Sequence, residues 1–522
     1  MKPTRFAALL SLPLFMAAPA GAAPHGFDLA QHLPPHLSVI FTVAWFGVGP
    51  GDPQGAVDPG YGNWKVDFPA CGLVTAPASC ADFPGAGLQR SIASRRRPLA
   101  GIYSSSGRDD ESRARIDLML ASGRRPCDPG ARIDAWAIQL DSVKFTSRYP
   151  QNQQSVTWDL PYRALVAFLA RAETAGLEGV VAVANDATVY WHFGDGFGLT
   201  TQDARKAALM DDISDMARMA AASPAALKIG GRPLLVFYVD AALMTAAEWQ
   251  TVLEGARAAS GVDFYTLATT LLSSYFGAFD GLAPWLNLGL WQSAQGATLR
   301  ERAAAWARAE HAQLLADVAS YPGRVVFGGL TPGFDDATED WGACVMRQIP
   351  RDPELLEGQI DALAAAGVRP VVLETWDDWT EGSEVEPDVT EGAAKLLAVR
   401  RGLGRLGGEP DDPTGEAALS SRWLGFGQPR NCCFAGGACP DAGLIPSPRC
   451  PPPPDGGALA DAAAPADAAP SDAPSPGMAT AEAGCGCAVA ARPPAQVGPL
   501  LLLLLSYRKR STSSRSCRSR AP

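Results

Sequence analysis

The strongest constraint on the fold is an alternation, over residues 37–404, of short apolar runs with longer stretches rich in Ala, Leu and Arg. The short runs are β-branched or aromatic and apolar at successive positions, as parallel strands buried on both faces must be. The longer stretches have helical composition and lie between most of the runs. This alternation predicts an α/β fold in which strands and helices follow each other along the chain.

Eight strands are predicted, at residues 38–46, 135–142, 179–185, 233–240, 263–269, 286–291, 324–330 and 369–375. Predicted helices lie at residues 159–175, 201–222, 246–260, 298–320 and 352–366. Eight strand–helix units in one segment predict a (β/α)8 TIM barrel with long loops. A doubly wound open sheet is the alternative, but no G-x-G-x-x-G motif follows the first strand.

Polar and aromatic side chains are concentrated just after the predicted strands. In a (β/α)8 barrel these positions surround the C-terminal mouth, where active sites lie. Each residue alone could be a cap or turn residue, but repetition after so many strands favours a shared cleft. The predicted substrate-binding residues are Trp45, Asp141, Asn185, Asp186, Trp191, His192, Tyr238, Asp240, Trp291, Gln292, Asp335, Asp336 and Trp379.

The side-chain types in this set indicate a carbohydrate ligand. Sugar rings have apolar faces that stack on indoles, and hydroxyls that need carboxylates and amides as partners. Four predicted residues are indoles expected to stack on rings: Trp45, Trp191, Trp291 and Trp379. His192 and Gln292 are expected to hydrogen-bond to sugar hydroxyls.

The densest acidic and aromatic segment, residues 374–387, follows the eighth predicted strand and reads ETWDDWTEGSEVEP. Glycoside cleavage uses two carboxyl groups that flank the scissile bond. Asp378 and Glu381 are three residues apart, so on a turn or short helix both side chains point the same way. They are the predicted catalytic pair. The alternative for this segment is helix capping beside a solvated acidic loop.

The segment TWDDWTEGS at residues 375–383, followed by VEP, resembles the final-strand motif of glycoside hydrolase families 71 and 99. Looser matches occur in the right order over nearly all of residues 37–404. They are AWFG at 44–47, PLAGIYSS at 98–105, GRPLLVFY at 231–238, FDG at 279–281 with Trp285, and GLTPGFDD at 329–336.

This resemblance implies an endo-acting barrel that cleaves α-linked polysaccharide or oligosaccharide without a metal or organic cofactor. It implies that Glu381 is the general acid and that Asp378 is the general base. Family 99 has Glu at the general-base position and family 71 has Asp, so Asp378 favours an α-1,3-glucan over an α-mannan as substrate. Asp377 replaces the usual Asn of the motif, and the serines at 104–106 lack its usual Asp.

Composition and missing motifs argue against other classes of protein. A net charge of -11 disfavours a nucleic-acid binder, which usually has a basic face. A metal-dependent hydrolase fits poorly, because the chain has 5 His and no H-E-x-x-H motif. The G-x-S-x-G motif of serine hydrolases is also absent. A non-catalytic glycan-binding or structural protein of the cell surface, built on the same barrel, stays as the alternative.

Both ends of the chain predict export. Residues 1–22 have a positive start, an apolar stretch and a small-residue cleavage pattern, typical of a secretory signal peptide. Residues 451–483 are rich in Pro, Ala and Asp and are a predicted disordered linker. Residues 484–522 resemble the MYXO-CTERM sorting tags of myxobacterial surface proteins, which implies an extracellular or envelope-attached protein. An unstructured tail without a sorting role is the alternative.

The 11 cysteines divide by region. Cys71 and Cys80 are close enough in one predicted loop to form a local disulfide, whereas Cys127 and Cys344 lie in separate barrel loops. The predicted appendage, residues 405–450, holds four more: Cys432, Cys433, Cys439 and Cys450. In an exported protein these four predict a small disulfide-stapled unit with three possible connectivities, and a zinc knuckle is the alternative. The last three cysteines belong to the tail.

Overall fold

The computed structural model describes residues 28–44, 46, 98–100, 103, 105, 107, 110–124, 128, 130–140, 159–192, 194–335 and 348–430. The predicted signal peptide, linker and sorting tag lie outside these residues. So do all 11 cysteines, and with them the predicted disulfides.

Within the described residues, parallel strands pair side by side in chain order. They are β1 (Ser38–Thr42), β2 (Ala135–Leu140), β3 (Val181–Asp186), β4 (Arg232–Tyr238), β5 (Tyr265–Thr269), β6 (Gly281–Ala283), β7 (Val325–Val326 and Gly328–Leu330) and β8 (Val371–Leu373). The first part of β7 pairs with β6 and its second part pairs with β8, which in turn pairs with β1. The sheet therefore closes on itself, and the fold is a (β/α)8 barrel.

Helices surround this barrel. The longer ones are α1 (Asp110–Ser122), α2 (Asp159–Thr174), α3 (Gln202–Ala222), α4 (Ala246–Ser260), α5 (Leu299–Asp317), α6 (Pro353–Ala365), α7 (Ala394–Gly407) and α8 (Pro413–Arg430). Both α4 and α5 begin with a capping box, formed by Thr245 with Glu248 and by Thr298 with Glu301. Between β5 and β6 a short 3-10 helix, Ser273–Gly277, replaces the usual α-helix.

The shorter elements mostly decorate the ends of the strands. Helices Leu29–His32, Val189–His192 and Leu288–Ser293 and 3-10 turns Gly194–Phe197 and Val318–Ser320 are each six residues or fewer. Phe334–Asp335 and Gln348–Ile349 form an antiparallel pair after β7, and Lys228–Ile229 pairs with β4. Among the described residues, no helix has both the length and the apolar character required to cross a bilayer.

The two ends of the barrel differ in character. At the N-terminal end, Asp280 and Arg324 precede β6 and β7 and form a buried ion pair. The Asp280 carboxylate also accepts the N–H of Thr266, just inside β5, at 2.9 Å. In barrels of this type the active site lies at the opposite, C-terminal end. Charged groups at the N-terminal end are therefore expected to serve stability and not the reaction.

The sixth strand differs from its predicted position at residues 286–291. The strand in the sheet is β6, and residues 288–293 form a helix. The side chain of Asn287 caps that helix by accepting the N–H of Leu290 at 2.9 Å. A short apolar run does not distinguish a buried strand from a buried helical turn, and Asn287 is the local signal that a helix begins here.

The packed barrel also extends beyond the predicted boundary at residue 404. Helix α8, predicted as part of the appendage, packs on the barrel through Trp423, which is fully buried. The Trp423 ring lies 5.5 Å from that of Trp376, and its Nε1–H donates to the hydroxyl of Ser122 at 2.9 Å. The chain is therefore part of the barrel at least to the end of α8.

Candidate active site

The β8 loop (residues 374–387) leaves the barrel at its C-terminal mouth and folds back on itself. The N–H of Thr375 donates to the carbonyl of Ser383 at 2.9 Å, and that of Val385 donates to the carbonyl of Thr375 at 3.1 Å. The hydroxyl of Thr375 accepts the N–H of Asp378 at 2.9 Å. These bonds close the loop into a compact turn.

Asp378, one of the two predicted catalytic carboxylates, is 4% exposed within this turn. Its Oδ1 accepts the N–H of Glu381 at 3.1 Å and the hydroxyl of Thr380 at 3.0 Å. Burial raises the pKa of Asp378 to about 6, and the hydrogen bonds act in the opposite direction. The predicted pair thus shares one turn, and Asp378 can change its charge near neutral pH.

Glu381, the other predicted catalytic residue, is half-buried and lies against the loop that follows β7. Its carbonyl accepts the N–H of Asp335 at 2.7 Å. Gly382 has a φ of 63°, and a Cβ there would lie 3.1 Å from the nitrogen of Asp335. Glycine therefore allows the two loops to approach. The predicted binding residue Asp335 is a neighbour of Glu381 in space.

Tyr238, at the end of β4, shares the mouth with Glu381. Burial raises the pKa of its hydroxyl, and the negative charges of Asp186, Glu381, Glu374 and Asp240 raise the pKa further. Asp186 is the partner of Tyr238 in the pairing of β3 with β4, so the ends of these two strands lie side by side. Because the barrel strands are parallel, the ends of β3, β4 and β8 all lie at the same mouth.

Trp285, an indole absent from the predicted binding set, lies across this mouth. Its ring meets Phe41 of β1 edge-on at 5.3 Å and Tyr238 edge-on at 5.2 Å. It is half-buried, so part of the indole is open to a ligand. The signal that could have found it is its place in the family-like segment that follows FDG at 279–281.

Trp191 belongs to the short helix after β3 and is also half-buried. Its Nε1–H donates to the side-chain oxygen of Gln202 at 2.8 Å, and Gln202 in turn donates to the carbonyl of Leu243 at 2.9 Å. These bonds fix one edge of the indole and leave it available for the predicted stacking. His192 is in the same helix, but its side chain is outside the described part of the structure.

Two of the predicted stacking residues belong instead to the packed interior. Trp379 is 1% exposed, and its Nε1–H donates to the hydroxyl of Tyr103 at 3.0 Å. Trp291 is 3% exposed, meets Trp306 edge-on at 5.4 Å and is covered by the guanidinium of Arg302. Neither ring has a face open to a sugar, so both predictions are corrected. An indole after a strand serves equally well to pack the loops above the barrel.

The other predicted binding residues have mostly local partners. Asn185 is buried and donates to a carbonyl of β2 at 2.9 Å. Asp186 and Asp240 each accept an N–H of the turn that follows them, and Asp240 is exposed. Gln292 is exposed on the helix after β6. The predicted residues outside the described part of the chain are Trp45, Asp141 and Asp336.

Further carboxyl groups of the β8 loop are buried. Burial raises the pKa of Glu374 to about 8; the carboxyl accepts the N–H of Leu286 at 3.0 Å and the hydroxyl of Thr331 at 3.1 Å. Burial also raises the pKa of Glu384 to about 7, although Arg351 pairs with it and lowers it. The loop thus concentrates acids in an environment that favours their neutral forms.

Asp377 and Glu386 flank the predicted pair and share one guanidinium. Arg115 of α1 donates from Nη2 to Asp377 and from Nε to Glu386, each at 2.8 Å. Burial raises the pKa of Asp377 to about 7, and Arg115 lowers it. Sequence reasoning missed Arg115 because it lies 262 positions from Asp377 and belongs to no local motif.

The fold and these residues define a (β/α)8 barrel with two carboxylates, a tyrosine and two partly buried indoles at its C-terminal mouth. In the part of the chain that the structure describes, no group of three or more His, Cys, Asp or Glu side chains is placed to hold a metal ion.

No protein-family model matches the sequence, and no curated protein matches it. A solved family 99 endo-α-mannosidase from Bacteroides thetaiotaomicron, bound to BIS-TRIS-propane, matches with a TM-score of 0.47 and 16% identity, over 74% of this chain and 99% of that chain. A second structure of that enzyme matches with a TM-score of 0.47 and 17% identity, over 72% and 98%. A glycoside hydrolase-like protein matches at 0.42 and 15%, over 59% and 89%. Similarity at this level identifies neither family nor substrate, and the fold assignment rests on the strand pairing.

Proposed function

We propose that this protein is a glycoside hydrolase that cleaves α-linked glycans with Asp378 and Glu381. The observation that carries the proposal is the turn at the barrel mouth in which Asp378 accepts the N–H of Glu381. Glu381 is half-buried beside the loop after β7, and Asp378 is buried with a pKa raised to about 6. A general base is most effective when its pKa lies near the working pH, which suits Asp378 to that role.

In the proposed reaction Glu381 protonates the leaving oxygen as the glycosidic bond breaks. Asp378 accepts a proton, either from a water that attacks the sugar or from a sugar hydroxyl that attacks internally. Attack by water inverts the anomeric centre, and internal attack followed by hydrolysis retains it. Proton NMR of the first-formed product distinguishes the two routes.

The cleft supports a sugar ligand through Trp285, Trp191 and Tyr238. The two half-buried indoles offer apolar surface to a ring, and Tyr238, whose ring meets Trp285, offers a hydroxyl. The carboxylates Asp186 and Asp240 lie on the same side of the mouth and can accept hydrogen bonds from sugar hydroxyls.

The test is the release of reducing ends by the full-length protein from a panel of α-glucans and α-mannans. Glu381→Gln keeps the shape of the side chain but cannot donate the proton, so turnover should fall by at least about 1000-fold while glycan binding persists. Glu354→Gln is the matched control, because Glu354 is an exposed glutamate at the start of α6 and lies outside the β8 loop. Normal turnover by the Glu381→Gln protein would contradict the assignment of Glu381 as the general acid.

The alternative is a barrel that binds glycans without cleaving them. Binding of panel glycans by the wild-type protein, with no reducing ends released from any of them, would favour this alternative. Isothermal titration calorimetry on the same panel supplies the binding measurement.

The finer features of the proposal come from sequence. Asp378 in place of Glu favours α-1,3-glucan, so we expect faster endo-cleavage of that polymer than of α-mannan.

The signal-like start and tag-like tail support export and envelope attachment. Fractionation of producing cells, with mass analysis of the N-terminus and of disulfide-linked peptides, tests both export and the cysteine pairs.

A further inference from the structure

Arg115 is the centre of a buried charge cluster directly beneath the predicted catalytic turn. Its side chain is 2% exposed, and those of Asp377 and Glu386 are fully buried. Arg115 donates to Asp377 at 2.8 Å and to both oxygens of Glu386, at 2.8 and 2.9 Å. One side chain from α1 therefore binds both ends of the segment that carries Asp378 and Glu381.

Tyr103 adds a second set of links to the same cluster. Its hydroxyl accepts from Arg115 at 2.8 Å and from the indole of Trp379 at 3.0 Å, and it donates to Glu386 at 2.7 Å. Because Asp377 and Trp379 are the neighbours of Asp378 in sequence, the backbone on both sides of Asp378 is held by this cluster.

Asp377 is also tied to the first strand. Its Oδ1 accepts the N–H of Val43, just after β1, at 2.9 Å, while its Oδ2 accepts from Arg115. Both oxygens face donors, so an Asn here would bring its NH2 group against one of them. This arrangement explains why the chain carries Asp where the family motif has Asn.

We propose that Arg115 is a positioning residue for the proposed hydrolysis, which fixes the β8 loop so that Asp378 and Glu381 face the substrate in register. The inference rests on the proposed function. Arg115 is buried and acts through its hydrogen bonds with Asp377, Glu386 and Tyr103. A lysine cannot replace it, because one ammonium on a flexible stem does not reproduce the forked contacts with two carboxylates.

The test compares Arg115→Lys with Arg324→Lys in the full-length protein. Arg324 is an equally buried arginine that pairs with the buried Asp280, but at the opposite end of the barrel. Both variants replace a forked guanidinium with a single ammonium in a buried ion pair and should lower the melting temperature. Only Arg115→Lys should lower kcat per folded molecule, by about 100-fold with KM within about threefold, because misplaced catalytic groups lose rate rather than binding.

Hydrogen–deuterium exchange supplies a readout that does not depend on turnover. In Arg115→Lys the amides of residues 376–386 should exchange faster, while those of α3 and α4 keep their protection; in Arg324→Lys residues 376–386 should stay protected. If Arg115→Lys does not fold, Tyr103→Phe replaces it. That variant removes only a hydroxyl, and we expect about a tenfold loss of kcat with the same exchange pattern.

The outcomes separate this inference from the function on which it rests. Wild-type turnover with equal kcat in Arg115→Lys and Arg324→Lys overturns the positioning role and leaves the hydrolase assignment standing. Absence of wild-type turnover on the whole panel overturns the hydrolase assignment. In that case hydrogen–deuterium exchange still tests whether Arg115 holds the β8 loop in place. Unchanged protection of residues 376–386 in Arg115→Lys would contradict that role.

Discussion

Trp285 is the indole best placed to touch a sugar, because it spans the mouth between β1 and β4 and keeps part of its surface open. We expect Trp285→Ala to raise the dissociation constant for a glycan about fivefold, because the lost stacking contact is worth roughly 1 kcal/mol. Trp291→Ala is the control. It should lower the free energy of unfolding by about 3 kcal/mol, since Trp291 is buried, and leave binding unchanged. Equal affinities of the Trp285→Ala and wild-type proteins, measured by calorimetry, would contradict the stacking role.

The environment of Asp378 predicts the acid side of the pH–rate profile. A base must be ionised to act, so kcat/KM should fall as the pH drops below about 6, the pKa to which burial raises this carboxyl. The hydroxyl of Thr380 stabilises the ionised form. Thr380→Ala should therefore shift the acid limb to higher pH. A limb that moves to lower pH, or does not move, would show that another group controls it.

At the level of elements, the hydrophobic pattern predicted seven of the eight strand positions because buried parallel strands are continuous apolar runs. It missed β6 because the apolar run of the following helix, Leu288–Ser293, has the composition of a buried strand. The turn shared by Asp378 and Glu381 was predictable because both residues lie in one local motif. Arg115 and Tyr103 were not, because their contacts with the β8 loop join residues more than 200 positions apart, at 262 for Arg115 and Asp377 and 283 for Tyr103 and Glu386.

Helix α8 gives a prediction about where the folded barrel ends. A protein that stops after residue 404 lacks Trp423, so it exposes Trp376 and leaves the hydroxyl of Ser122 without its indole donor. We expect its melting temperature to fall by at least about 5 °C. A protein that stops after residue 430 keeps these contacts, so its melting temperature should equal that of the full-length protein. Equal melting temperatures for all three proteins in differential scanning calorimetry would mean that α8 contributes little.

At the level of the whole molecule, two buried acids of the β8 loop keep their protons to higher pH than exposed carboxyl groups do. Burial raises the pKa of Glu374 to about 8 and that of Asp378 to about 6. The unfolded chain releases these protons near pH 4, whereas the folded protein retains them to higher pH. Between those values the folded state binds more protons, so the free energy of unfolding must fall as pH rises. Stability that decreases towards alkaline pH is therefore a consequence of the same burial that prepares the cleft.

Glu374→Gln tests this relation, because Gln can still accept the N–H of Leu286 and the hydroxyl of Thr331 but carries no titrating proton. The pKa of Glu374 is raised to about 8, so between pH 6 and pH 8 this single group contributes a loss of at most about 1.4 kcal/mol per pH unit in the wild type. We expect the variant to gain stability relative to the wild type across that window and to match its slope above pH 9. Urea unfolding followed by tryptophan fluorescence at pH 6, 7, 8 and 9 measures the difference. Glu354→Gln, at an exposed site, should follow the wild-type curve throughout. Parallel curves for Glu374→Gln and wild type would show that Glu374 is already ionised at pH 6.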